Sequence, residues 1–277
     1  VEVRLNDSKR RNLKVGDTIE TVNDKKVSNI NDLVDAIDSD CNNARITYIR
    51  NNEKLQTNLS LTKDNNGVCK TGLYVKDSIS GLGTLSFIDP NTKVFGALGH
   101  EIIEKSTGKI LEIKDGKIFH SDVTGIERSE NGVPGEKNAT FYSKQVTGTI
   151  NENTEKGIFG IYEEDLPNKK QYKVATIEQI KKGKAKILTV LSGNEVKEYD
   201  IEITKINTNM SQKTKNILFT ITDSELLEKT GGIVQGMSGS PIIQGDKIVG
   251  AVTHVVVNDP TKGYGIFITN MLEEAEN

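Results

Sequence analysis

Apolar and polar positions alternate through Ile19 and Val22, meet the turn pair Asn23-Asp24, and resume at Lys26-Val27, which predicts a β-hairpin. The segment that follows changes period. Ile30, Leu33, Val34 and Ile37 stand at i, i+3, i+4 and i+7, so a helix with one apolar face is expected, capped by Ser28 or Asn29. Period two then returns. Ile46 to Ile49 and the set Leu55, Thr57, Leu59, Leu61 predict two strands joined by a polar turn at Arg50 to Lys54. A small α/β unit over residues 1–63 is the simplest reading.

The polar run Asp64-Asn65-Asn66-Gly67 reads as a linker. From there to Met271 the chain is a succession of short apolar runs separated by turn signals. Asp115-Gly116 is expected to join strands at Ile110–Ile113 and Lys117–Phe119, and Gly245-Asp246 those at Ile242–Gln244 and Lys247–Val252. Helical patterns are few: "TIEQIKKG" closed by Gly183, "DSELLEKTGG" closed by Gly231, and the C-terminal "NMLEEAEN". Residues 64–277 are therefore expected to form a mainly β domain of antiparallel strands, as a sandwich or barrels.

Composition removes several classes. The 277 residues carry a net charge of −3, without a basic block that would grip phosphates, so nucleic acid is not an expected partner. No apolar run reaches the roughly 20 residues that span a bilayer, so no transmembrane segment is expected. The two cysteines, Cys41 and Cys69, have no metal-ligand spacing with the three histidines, and no metal or organic cofactor is expected. A core of this size does not need a staple, so free thiols are expected, with a single bridge as the alternative.

One stretch carries chemistry. In "GGIVQGMSGSPIIQ" the glycines and Pro241 rule out a helix interior. A nucleophilic serine needs a sharp turn, a base in reach, and backbone N–H groups aimed at a developing oxyanion. Gly236, Met237 and Ser238 could supply the turn and its donors; the ordinary alternative is a loop with two surface serines. Ser238 has glycine two residues before it and directly after it, whereas Ser240 adjoins Pro241 and is read as a structural hydroxyl. The base could be His100, His120 or His254. For the orienting acid the candidates are Asp223, 15 residues before the serine, with Asp122 and Glu104. Asp223 competes with a local role, since Thr222, Asp223 and Glu225 all suit the start of the helix "SELLEK".

Two resemblances extend this reading. "LKVGDTIETVNDKKV" with "DLVDAI" resembles the later part of a PDZ domain over residues 13–61; the strands that would complete a peptide groove would precede Val1, so a partial module is expected. Five blocks, "TGLYVKDSISGLGTLSFIDP", "FGALGH", "GVPGEKNATF", "ITDSELLEKTGGIVQGMSGSPIIQ" and "GAVTHVVVNDPTKGYGIFI", are similar in order to the stage IV sporulation protein B serine peptidases of endospore-forming bacteria. That resemblance implies a chymotrypsin-like double β-barrel after the PDZ module, with His100, Asp223 and Ser238 as catalytic triad and Gly236, Met237 and Ser238 as oxyanion turn. Thr253, His254 and Val255 would then line the substrate cleft. It also implies secretion from the forespore into the intermembrane space and self-cleavage. The substrate would be a membrane-anchored regulator of an intramembrane protease, whose release activates a sigma factor. A peptidase-like module that binds protein termini without cleaving them is the alternative.

Overall fold

The structure is a computed structural model that describes every residue except 7–11, 38–40, 105–107, 114, 167, 169, 210–212 and 277. It divides into two compact units, Val1–Gly81 with Glu104–Lys109, and Leu82–Ile103 with Ile110–Asn277.

The first unit holds strands β1 (Glu2–Asn6), β2 (Thr18–Val22), β3 (Lys25–Lys26), β4 (Ala44–Arg50), β5 (Glu53–Leu59), β6 (Thr62–Lys63), β7 (Cys69–Lys70) and β8 (Leu73–Lys76), with helix α1 (Ile30–Asp35) after β3. Its main sheet runs β5-β4-β2-β1-β8, with β3 on β2. Both turns anticipated in the sequence use Asn or Asp at positive φ: Asn23 and Asp24 (φ 50 and 66), then, within the polar stretch Arg50 to Lys54, Asn51 and Asn52 (φ 51 and 64). At α1 the cap is Asn29, whose side chain accepts from Asp32 N at 2.9 Å while the Asp32 carboxylate accepts from Ser28 N at 2.9 Å. The helix has only six residues, so its apolar face is shorter than expected: Leu33 enters the core with Ile19, Val22, Ile46 and Tyr48, while Val34 is 59% exposed.

Two expectations fail in this unit. Asp64–Gly67 is the turn of the β6–β7 hairpin rather than a linker, because Asp64 Oδ1 accepts from the N–H groups of Asn66 and Val68, both at 2.9 Å. The cysteines are bonded to each other, Cys41 to Cys69, with Cα atoms 5.4 Å apart. The reason lies in the division of the chain: this unit must be stabilised by its own small core, and a cross-link across 28 residues contributes about 3 to 4 kcal/mol through the unfolded state.

The second unit is mainly β, as expected. Strands β9 (Leu85–Ile88), β10 (Val94–Ala97), β11 (Gly116–Glu127), β12 (Gly135–Thr154) and β13 (Gly157–Tyr162) form an open sheet in the order β11-β12-β13-β10-β9. The remaining strands are β14 (Lys173–Val174), β15 (Gly183–Val190), β16 (Val196–Ile206), β17 (Ile217–Ile221), β18 (Val234–Gln235), β19 (Pro241–Gln244), β20 (Lys247–Val255) and β21 (Lys262–Phe267). The run β20-β19-β15-β16-β17-β21 closes on itself through antiparallel pairing of β21 with β20. This barrel encloses Ile187, Ile201, Ile203, Phe219, Ile242 and Val252. β18 crosses to the open sheet and pairs in parallel with β12. Helices α2 (Ser224–Thr230) and α3 (Ile268–Ala275) complete the unit.

Here side chains distant in sequence override pattern. The helix expected at "TIEQIKKG" is a single 3-10 turn, Ile177–Gln179, because Lys181 N and O are taken by the Gln244 side-chain amide, both at 2.9 Å. Of the strand expected at Ile110–Ile113, the described residues show an isolated bridge from Ile110 to Ile103. The Asn153 amide occupies the backbone instead, donating to Ile102 O and Leu111 O.

Candidate active site

The serine turn begins at α2. Asp223 is its N-cap and accepts from Leu226 N at 3.0 Å; Gly231 ends it in the left-handed conformation at φ 69, as Gly–Gly predicts. The chain then passes through β18 into Gly236-Met237-Ser238-Gly239. Met237 is fully buried in the barrel core and anchors the loop from below. Inside the turn Met237 N donates to Val234 O at 3.1 Å and Ser240 N to Met237 O at 2.9 Å. Gly239 N donates to Val252 O at 2.7 Å and Val252 N to Ser240 O at 2.9 Å, which fixes the turn on β20. Gly239 cannot carry a side chain: its φ is 91, and a Cβ would lie 2.0 Å from Thr84 O and 2.6 Å from Leu98 N.

That close approach joins the serine to the segment bearing the first candidate base. Thr84 N donates to Ser238 O at 2.9 Å, Thr84 Oγ1 to Gly236 O at 3.0 Å, and Leu98 N to Thr84 O at 3.2 Å. Leu98 and Gly99 both have positive φ, 67 and 69, an uncommon state for leucine that turns the chain sharply off β10 and delivers His100. His100 is half-buried, and its Nδ1 lies 2.8 Å from Glu101 O. A carbonyl only accepts, so Nδ1 carries the proton and Nε2 is left as the ring's acceptor.

His254, on β20, faces His100 with ring centroids 5.4 Å apart. Its Nδ1 is buried, without a hydrogen-bond partner among the described residues. Burial, then the neighbouring His100 and Lys215, push its pKa down to about 4, so it is neutral at pH 7. Thr253 directs its hydroxyl to Thr214 O at 2.8 Å and Tyr264 O at 3.2 Å, while its carbonyl accepts from Ser238 Oγ at 3.1 Å. Val255 is half-buried against the barrel core. Tyr264, the register partner of His254, lines a cavity of about 210 Å³ with Lys215 and Lys205.

The structure thus sets the Ser238 hydroxyl on the Thr253 carbonyl and the His100 ring beside that of His254; among the described residues no hydrogen bond joins Ser238 Oγ to His100. It does not bring in Asp223. Besides Leu226 N, that carboxylate accepts from Asp200 N at 3.2 Å, and among the described residues no hydrogen bond or ion pair joins it to a histidine. Of the other candidates, His120 is exposed and paired with Glu164, and Asp122 accepts from the Tyr142 hydroxyl; Glu104 belongs to the first unit. In the turn expected to hold an oxyanion, the Met237 N–H is spent on Val234, whereas the Ser238 N–H has no acceptor among the described residues. Sequence reading missed Thr84, and it missed Lys137, whose aliphatic stem runs beside Gly236: a Cβ there would sit 3.3 Å from Lys137 Cβ and Cδ. Gly135, Lys137 and Ala139 share one face of β12, so period two did hold a signal for the lysine.

Asp223 gives a test of its own. Asp223→Ala loses the cap and about 1 kcal/mol of stability, and activity falls because α2 leads into the serine turn. Asp223→Asn, which caps equally well, restores both in thermal melts and peptide cleavage; a normal melt with abolished cleavage would instead make the carboxylate part of the reaction.

A closed antiparallel barrel presenting a serine in a glycine-rich turn, with an open β-sheet whose strand β10 leads into a histidine, is the plan of a chymotrypsin-like serine peptidase. The chain belongs to the SpoIVB peptidase S55 family, whose model matches residues 67–272, and is accordingly a serine endopeptidase. Among solved structures, the chain is similar to the Rv3671c protease in its inactive form, at 13% identity and a TM-score of 0.34, over 56% of this chain and 86% of that one. It is similar also to an inactive-form serine-to-alanine mutant of Rv3671c from M. tuberculosis H37Rv, at 15% identity and the same TM-score, over 56% and 85%. No curated protein matches.

Proposed function

We propose that Ser238 is the nucleophile and His100 the general base of a signalling endopeptidase. The observation that carries this is the linkage through Thr84, which holds the serine turn against the turn bearing His100, with His100 Nδ1 engaged on Glu101 O and Nε2 free to accept. In the reaction Ser238 Oγ exchanges its bond to Thr253 O for one to His100 Nε2 and attacks the substrate carbonyl. His100 takes the proton and then gives it to the leaving amine. The Ser238 N–H, with that of Gly236, receives the oxyanion. The Glu101 carbonyl fixes the tautomer, and Asp223 acts as the cap of α2.

For the biological setting, the reading is of a sporulation peptidase that cleaves itself and a membrane-anchored regulator of an intramembrane protease, leading to sigma-factor activation. The family resemblance supports it. The Cys41–Cys69 bridge supports an oxidising location such as the space outside the forespore, since disulfides persist there and not in a reducing cytosol. The helix and hairpins of residues 1–63 support a PDZ-like module ahead of the peptidase. Among the described residues no helix is long and apolar enough to cross a membrane. The test is labelling by a fluorophosphonate: the wild type is labelled at Ser238, and His100→Ala is not. Labelling that persists in Ser238→Ala, or is unaffected by His100→Ala, overturns the assignment.

A further inference from the structure

Lys137 lies on β12 of the open sheet, yet its amine ends inside the second unit beneath the serine turn. The residue is 4% exposed. Its Nζ donates to Thr189 Oγ1 on β15 at 2.7 Å, and the same oxygen accepts from Ser240 Oγ at 3.2 Å. Ser240 is fully buried and is bonded through N to Met237 O, so amine, two hydroxyls and serine turn form one connected chain. An ammonium has three N–H donors, and among the described residues Thr189 Oγ1 is its acceptor. Among the described residues no carboxylate is hydrogen-bonded or ion-paired to it. Across β11 its register partner is Ile126; on its own strand Glu136 is exposed on the opposite face, against Glu127. Across from Thr189, Lys197 is exposed, and the serine turn itself holds no charged residue. A buried cation without a counter-charge, connected to a turn whose Ser238 N–H is also unoccupied, is a site short of one negative charge.

We propose that Lys137 is a positioning residue for the reaction: its ammonium, held through Thr189 and Ser240, supports the oxyanion turn electrostatically and makes turnover depend on the amine being protonated. The inference rests on the assignment of Ser238 as nucleophile. Negative charge on the substrate oxygen at the Ser238 N–H is the missing partner, and the low-polarity interior between them strengthens the attraction. Burial lowers the amine from its ordinary value of 10.5 to about 8, which places its titration within reach of a rate profile. Because the folded value lies below the unfolded one, the cost of burying the charge is fully present below about pH 8 and fades as pH rises toward 10.5.

The experiment measures kcat, KM and thermal stability between pH 6 and 10 for the wild type, Lys137→Met, Thr189→Val and Ser238→Ala on one peptide substrate. In the wild type kcat falls as pH passes about 8. Lys137→Met has kcat about tenfold lower at neutral pH, less than the loss of a direct oxyanion donor, with KM unchanged and no fall above pH 8. It melts no lower than the wild type, since an unpaired charge has been removed. Thr189→Val keeps the amine but removes its acceptor, so the alkaline fall moves to lower pH. This second variant decides the matter if Lys137→Met fails to fold. A wild-type profile in Lys137→Met, or an unmoved alkaline limb in Thr189→Val, overturns the proposal. Cleavage by Ser238→Ala would instead overturn the nucleophile, a separate and distinguishable failure.

Discussion

Ser238→Ala loses at least about a thousandfold in peptide cleavage while keeping its fold. The two halves of that expectation have different grounds. Chemically, no other hydroxyl is presented in the same way: Ser240 is fully buried and donates inward to Thr189, so it cannot substitute. The glycines and Thr84 that shape the turn are untouched, so a residual rate from the oxyanion donors is retained. Structurally, the half-buried Ser238 Oγ makes one hydrogen bond, to Thr253 O, and its removal costs about 1 kcal/mol. Cleavage of a peptide substrate, measured beside thermal unfolding, checks both. Equal activity in the two proteins would remove Ser238 from the mechanism.

The largest stability effect is expected in the first unit, at Asp17. This carboxylate is 1% exposed and fully engaged: Oδ2 accepts from Lys14 N at 2.6 Å, and Arg50 donates Nε to Oδ1 and a terminal N–H to Oδ2, each at 2.7 Å. The pair is bidentate, and the hydrogen bond to Asp17 raises the Arg50 pKa above its ordinary value. Arg50 also donates to Asn12 O at 2.8 Å and stacks over Tyr48 at 5.2 Å. Asp17→Ala strands the guanidinium and the Lys14 amide together. Breaking a buried pair on one side costs about 3 to 5 kcal/mol, and the quarter exposure of the arginine side chain places this site at the low end. Hydrogen exchange should show the amides of β4 and β5 opening about 3 kcal/mol more easily, with those of the barrel unchanged. A difference below the cost of one ordinary hydrogen bond would mean that the pair is not a buried one in solution.

What could be read from the chain was what is encoded locally. The turns at Asn23-Asp24, Asn51-Asn52 and Gly245 and the cap at Asn29 follow from conformations that few residue types adopt. So does the left-handed end of α2 at Gly231. The serine turn was legible for the same reason, because glycine, serine and proline at fixed offsets leave few backbone shapes. What escaped depends on partners distant in sequence. The pairing of Cys41 with Cys69 follows from how the core divides, which periodicity does not report. At "TIEQIKKG" an amide from Gln244 outweighs helix propensity, and near Ile110 the Asn153 side chain replaces a strand partner. Lys137 was hidden by its type, since lysine is read as solvated unless a specific burial is known. The Glu101 carbonyl that orients His100 is a backbone atom with no sequence signature at all.

Thr84 also has a consequence in time. Its hydroxyl reaches a carbonyl 152 residues further along the chain, and its amide meets Ser238 itself. The turn is fixed besides by Val252, later still. Any nascent fragment that ends before β20 therefore lacks part of the contacts that shape the serine turn. Competence arrives only with nearly the whole second unit, so a half-made chain is a poor hazard to the proteins around it.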